Sequence, residues 1–145
     1  MIEFDIELDL NPEQSCLDEL TAGLNEHSEG FFEKAGFQPM ALFARDKPGC
    51  IQGGIYGRIN WNWLSVSLLW VSADNRGSGL GSALLNRLET EAAALGCTKS
   101  HVDTFSFQAQ EFYVAHGYET FAELADYPDG HRRVYLKKSL SAAPD

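Results

Sequence analysis

Apolar positions along this chain follow two rhythms, one of period two and one of period near four. Ile2, Phe4, Ile6 and Leu8 alternate with acidic residues, the pattern of a half-buried edge strand. Asn11-Pro12-Glu13 then supplies an N-cap with proline at the first helical position, which predicts a helix from about Pro12 to Leu24. The stretch from Glu26 to Gly36 is polar at first and then carries Phe31 and Phe32, which predicts a short second helix ending at Gly36. Met40 to Arg45 reads as a strand, Lys47-Pro48-Gly49 as a turn, and Cys50 to Asn60 as the next strand in spite of Gly53, Gly54 and Gly57.

Trp63 to Val71 is the central strand. Leu64, Val66 and Leu68 alternate with Ser65 and Ser67 until Leu69-Trp70-Val71 breaks the alternation, so either both faces are buried there or a bulge intervenes. After a glycine-rich turn, Leu80, Leu84, Leu88 and Ala92 recur at i+4 spacing, with Leu95 near the end and Gly96 as a left-handed cap. His101 to Phe105 reads as a strand and Gln108 to His116 as a short helix stopped by Gly117. Tyr118 to Leu124 pairs with Arg133 to Lys138 across Tyr127-Pro128-Asp129-Gly130. The predicted order is β, α, α, β, β, β, α, β, α, β, β, with an antiparallel meander in its first half. No repeat or linker divides the chain, so residues 1–138 read as one domain and 139–145 as a frayed tail.

Composition narrows the possible functions. A chain of 145 residues, 44% of them hydrophobic, can bury one core. No run approaches a membrane span and the N-terminus is acidic where a signal peptide would be basic, so a cytoplasmic protein is expected. Cys16, Cys50 and Cys97 form no C-x-x-C pair, which points to reduced cysteines and no metal. A net charge of −10 with only 11 Lys and Arg disfavours nucleic-acid binding, and an acidic field suits a cationic acceptor or simply solubility. Residues 75–88 run against that balance, with Arg76 and Arg87 and no carboxylate.

Within that patch, Val71 to Ser82 reads V-S-A-D-N-R-G-S-G-L-G-S, a strand entering a glycine turn that opens a helix. Glycines allow backbone N–H groups to approach a ligand, and the helix directs its positive end at the same point, which suits a phosphorylated cofactor. A P-loop needs lysine, and none lies between Asn75 and Leu88. The dinucleotide fingerprint counted from Gly77 and Gly79 requires glycine where Ser82 stands. The pattern that remains is R-x-x-G-x-G at Arg76, Gly79 and Gly81.

With these residues the chain resembles the GCN5-related N-acetyltransferase family. Val71 to Leu85 carries the core of the resemblance, and A-x-x-x-Y-x-x-x-G at Ala109, Tyr113 and Gly117 resembles the family's fourth-helix motif. Y-E-T-F and V-Y-L-K-K resemble its closing strands. The resemblance implies an α/β (α+β) fold, with a mixed, mostly antiparallel central sheet of six to seven strands flanked by about four helices. It implies an acetyl-CoA-dependent transfer of an acetyl group to an amine of a small molecule or peptide; the competing class is a non-catalytic acyl-CoA binder or sensor. By the same resemblance the backbone of Gly77, Ser78, Gly79, Leu80, Gly81 and Ser82, with Arg76, grips the pyrophosphate of coenzyme A. Pantetheine would lie along Leu69, Trp70 and Val71, where a splayed or bulged strand leaves polar backbone groups unpaired.

Tyr113 is the candidate general acid, since the leaving thiolate needs a proton and a phenol can donate one; the alternative is a packing tyrosine. Family members often carry asparagine seven residues earlier, where this chain has Ser106, a residue that can bond the cofactor or cap the helix. For the base, Asp103 leads His101 on the same strand, with a structural or surface role for Asp103 as the alternative. His27, Glu29 and Glu33 border the acceptor pocket by resemblance. His116 reads as a solvated residue at a helix end. Asn60-Trp61-Asn62-Trp63 reads as a packed strand connection or a homodimer surface, with an aromatic acceptor pocket as the sharper alternative.

Overall fold

The structure is a computed structural model that describes residues 3–31 and 36–140. The chain divides into two compact units, Met1–Lys34 and Ala35–Asp145, each taken by itself.

In the first unit, residues 3–13 form neither helix nor strand and lead into α1 (Gln14–Ser28). Glu13, extended at φ −69° and ψ 141°, is the N-cap, and its carbonyl accepts from the N–H groups of Cys16 and Leu17. The fixed φ of Pro12 is as compatible with extended chain as with a first turn, so the helix starts two residues later than expected. It also outruns Leu24, because the first left-handed glycine is Gly30 at φ 92°. The expected second helix is therefore not found as drawn. Glu26 to Ser28 belong to α1, Glu29 to Phe31 are not helical, and 32–35 lie outside the described residues. The expected edge strand also fails over residues 3–8, while Ile2 lies outside the described residues. Alternation shapes a two-faced ribbon, but a strand exists only with a neighbour to pair, and none of the six strands pairs with this stretch.

The second unit is built on β1 (Phe37–Arg45), β2 (Ile51–Asn60), β3 (Trp63–Val71), β4 (Lys99–Phe105), β5 (Glu119–Ala125) and β6 (Arg132–Ser139), in sheet order β1-β2-β3-β4-β6-β5. Every neighbouring pair is antiparallel except β3–β4. A 3₁₀ turn (Ala73–Asn75), α2 (Leu80–Ala94) and α3 (Gln110–Ala115) complete it. The α+β class and the mixed six-stranded sheet match expectation. Among the described residues three α-helices stand where about four were expected, the difference being the second helix.

The i+4 stripe of α2 does what its spacing dictates. Leu84, Leu85, Leu88 and Ala92 are buried against Ile55, Ile59, Leu64 and Val66 of the sheet. Gly57 lies beneath them, and a Cβ there would sit 2.7 Å from the Ser65 carbonyl oxygen. The Asn60–Trp63 segment is the β2–β3 connection. Trp61 adopts φ 54° and packs on Phe37, and the Asn62 carbonyl accepts from Thr98 N–H. No described helix is long and apolar enough to cross a membrane.

One polar network is buried behind α2. Glu89 accepts from the Tyr118 hydroxyl at 2.8 Å and from Lys138 Nζ at 2.7 Å, and Tyr118 shares a 2.7 Å bond with Ser100. Burial first, and then the adjacent carboxylate, push the Tyr118 phenol far up, so it stays a donor. Lys138→Met would leave Glu89 facing the core with only the tyrosine. The expected result is a loss of about 2 kcal/mol in urea unfolding, restored in large part by adding Glu89→Gln.

Candidate active site

The sheet opens where its one parallel pair ends. β3 and β4 pair from Trp63↔Lys99 to Val66↔Val102. Beyond that point β4 continues along β6 and β3 along β2, so the two neighbours part and their facing edges lose ladder partners. The bulge lies at the same place. Tyr56 opposes Leu68 and Gly57 opposes Val66, which leaves Ser67 as the extra residue on β3. That residue shifts the strand's parity: Leu64 and Val66 face the core before it, Leu69 and Val71 after it. Leu68 and Trp70, 68% and 52% exposed, point the other way. The apolar run is therefore bulged and not buried on both faces. A groove of about 1280 Å³ fills the opening, walled by the end of β3, the start of α2, the β4–α3 loop and α3.

At one end of the groove stands the glycine turn. Gly77 and Gly79 adopt φ 77° and 86°, and a Cβ on either would meet nothing within 4 Å, so glycine is demanded by backbone sign and the space beside it is open. Gly81 is different. A Cβ there would touch Phe112 and Val71 at 3.7 and 3.8 Å, an ordinary contact, so the protein itself does not require glycine at that position. The first intrahelical bond of α2 is Ala83 N–H to the Gly79 carbonyl, and no side chain caps the helix. The N–H groups of Leu80, Gly81 and Ser82 consequently have no acceptor within the helix, and the helix dipole adds to their pull on an anion. Arg76 Nε donates to the Val71 carbonyl at 3.2 Å, tying the turn to the end of β3. Ser78 turns its hydroxyl back onto the Asn75 carbonyl and, alone among residues 76–82, does not line the groove. The Leu80 side chain packs on the core, leaving its backbone to face the groove.

Tyr113 lines the groove from α3. Its ring is 4% exposed and meets Phe112 and Tyr118 edge-on at 5.2 and 5.5 Å, so it is a packing residue as well. Burial pushes its phenol up to about 12, which keeps the proton in place across the neutral range. Ser106 also lines the groove, but its Oγ accepts from Arg132 N–H at 2.9 Å and its own N–H donates to the Arg132 carbonyl. It thereby extends the β4–β6 pairing. It does not cap α3, whose N-cap is Ala109.

Asp103 is the first β4 residue beyond the parallel pairing and lines the groove. Its Oδ2 is engaged by Arg133 at 2.9 Å from Nε and 2.5 Å from a terminal nitrogen, so half of the carboxylate is already committed. His101 stands within the paired region, opposite Ser65, and packs on Trp63 outside the groove. Burial lowers its pKa against a smaller raising effect from Asp103. His27 and Glu29 belong to the first unit, and Glu33 lies outside the described residues. The Asn60–Trp63 turn lies at the far end of β3, about 25 Å of extended strand from Val71, so it does not line this groove.

Several groove residues carried no sequence signal: Asn75, Phe107, Gln108 and Phe112. Gln108 is the clearest case, since its Oε1 accepts from Thr104 Oγ1 and Phe105 N–H at 3.3 Å and shapes the loop where β4 leaves the groove. His116 stands at the C-terminal end of α3 as expected, but it is half-buried and bonded to Ser82 and so is not solvated. A second hollow of about 760 Å³ lies between β1 and α2; its Arg87 and Glu91 pair with each other at 2.7 Å.

The model of the acetyltransferase (GNAT) family matches residues 26–118. Blasticidin-S acetyltransferase of Streptomyces morookaense is 45% identical over 101 residues, 69% of this chain and 74% of that protein. The crystal structure of an acetyltransferase from Bacillus cereus superposes with a TM-score of 0.82 at 28% identity, covering 92% of this chain and 98% of that one. An aminoglycoside 6'-N-acetyltransferase complexed with coenzyme A shares the fold, with a TM-score of 0.65 at 18% identity over 97% of this chain and 98% of that one. The chain belongs to the acetyltransferase (GNAT) family.

Proposed function

We propose that this acetyltransferase takes its acetyl group from acetyl-CoA and passes it directly to an amine, and that the opening between β3 and β4 is where it does so. The observation that carries this reading is one groove with an anion cradle at one end and a proton-bearing phenol in its wall. The residues present fit coenzyme A. Three helix N–H groups and Arg76 suit its diphosphate, and the unpaired edges of β3 and β4 suit an amide-bearing arm laid between them. A backbone N–H on the parted edge of β3 would polarise the thioester carbonyl.

Once its ammonium proton is gone, the amine nitrogen forms a bond to the acetyl carbon, the carbon–sulfur bond breaks, and the thiolate leaves with the electron pair and takes the Tyr113 proton; the second proton, shed by the new amide nitrogen, returns Tyr113 to its neutral form. The proton lost by the attacking ammonium passes to water in the open groove, whose carboxylates are Asp103, engaged by Arg133 through Oδ2, and the exposed Glu111 of α3. No acyl-enzyme is needed. Cys97 is buried in the core with its thiol pushed up by burial, and Cys50 lies in the β1–β2 turn away from the groove. The described cysteines are all free, which suits a reducing cytoplasm.

The relative from Streptomyces morookaense makes blasticidin S the first acceptor to try. With acetyl-CoA and blasticidin S varied together, initial rates are expected to give intersecting double-reciprocal lines. Parallel lines, or an acetylated protein in the mass spectrum, would overturn direct transfer.

A further inference from the structure

His116 is an unspecified position of the A-x-x-x-Y-x-x-x-G motif, yet it joins the two helices that frame the groove. Its Nδ1 lies 2.7 Å from the Phe112 carbonyl oxygen and its Nε2 lies 3.0 Å from Ser82 Oγ. The ring packs on Phe112 with centroids 4.4 Å apart. A carbonyl oxygen can only accept, so the hydrogen must be on Nδ1; a neutral imidazole then offers a lone pair at Nε2, and the Ser82 hydroxyl must donate to it. The serine's hydroxyl hydrogen is thereby used within the protein. Its backbone N–H, with those of Leu80 and Gly81, remains without an intrahelical acceptor at the groove. Phe112 directly precedes Tyr113, so one side chain fixes the first turn of α2 against the turn of α3 that holds the phenol.

We propose that His116 is a positioning residue for acetyl transfer: in its Nδ1–H tautomer it locks Ser82 to α3, so that a donor gripped at the turn meets the Tyr113 hydroxyl in register. Ser82 then serves the donor through its backbone and not its hydroxyl. The inference rests on the acetyl-CoA site proposed above, but its first test does not depend on that site.

Nitrogen-15 spectra of the full-length protein, taken at mildly alkaline pH with labelled histidine, are expected to show His116 as the Nδ1–H tautomer. The Nε2–H tautomer would overturn the lock. The kinetic test uses His116→Leu and Ser82→Ala. Each is expected to lower kcat about tenfold while the dissociation constant for coenzyme A moves less than about threefold. The double variant should lose little more than either single one, because both remove the same bond. His116→Gln, which can again offer an acceptor to Ser82, should recover part of the rate. A tenfold weakening of coenzyme A by Ser82→Ala with His116→Leu silent would mean that the hydroxyl serves the phosphate, which contradicts the proposal. So would multiplicative losses in the double variant. If His116→Leu fails to fold, Ser82→Ala and the tautomer still decide the matter. Failure of the wild-type protein to bind coenzyme A would instead remove the site itself.

Discussion

Gly79→Glu is expected to weaken coenzyme A at least about 100-fold while leaving a folded protein. Two effects combine. The new carboxylate stands among N–H groups and a helix dipole that otherwise attract phosphate, and it competes for them while repelling the ligand's own charge. Their joint loss is of order 3 kcal/mol, which is the stated factor. The left-handed backbone of Gly79, at φ 86°, adds a strain of about 1–2 kcal/mol for any side chain. Gly79→Ala separates the two, since it carries the strain without the charge and should retain binding within several-fold. Titration calorimetry gives both affinities and a circular dichroism melt confirms folding. Unweakened binding by the glutamate variant would show that the turn does not hold the diphosphate.

Tyr113→Phe is expected to lower kcat by about 10²-fold with the affinity for coenzyme A unchanged. The ring's contacts with Phe112 and Tyr118 survive the substitution, so the fold should too. What is lost is the hydrogen that the proposed mechanism gives to the leaving sulfur. The pH dependence has a definite sign. A general acid must be protonated to act, so its contribution is lost only as pH rises through its own value, here about 12. Tyr113 should therefore produce no falling limb in kcat between neutrality and about pH 10. A limb in that range that disappears in Tyr113→Phe would show a phenol far less perturbed than its burial implies, and unchanged turnover would remove Tyr113 from the chemistry.

Legibility in the sequence followed the range of the interaction involved. The α2 stripe, the β2–β3 hairpin and the β5–β6 pairing were readable because periodicity and turn residues are local, and each found its neighbour nearby in the chain. The N-terminal alternation misled because strandhood depends on a pairing partner that no pattern in Ile2 to Leu8 can announce. Pro12 misled because its φ serves two conformations equally. At the groove, the glycine turn and Tyr113 were visible as spacings. Ser67 as the bulged residue was visible only as a broken alternation, and its position became clear from the register with Tyr56 and Gly57. The Asp103–Arg133 pair and the His116–Ser82 bond join residues thirty or more positions apart, a separation at which sequence carries no geometric information.

The most direct test of acetyl transfer in this groove is thiol release measured alongside product mass, with acetyl-CoA and an amine panel that includes blasticidin S. At least one amine is expected to release thiol and gain an acetyl group in equal amounts, at a rate that collapses in Gly79→Glu at limiting acetyl-CoA and in Tyr113→Phe even at saturation. Tight binding of acetyl-CoA with no thiol released by any amine would contradict catalysis and leave a protein that only binds the acyl donor.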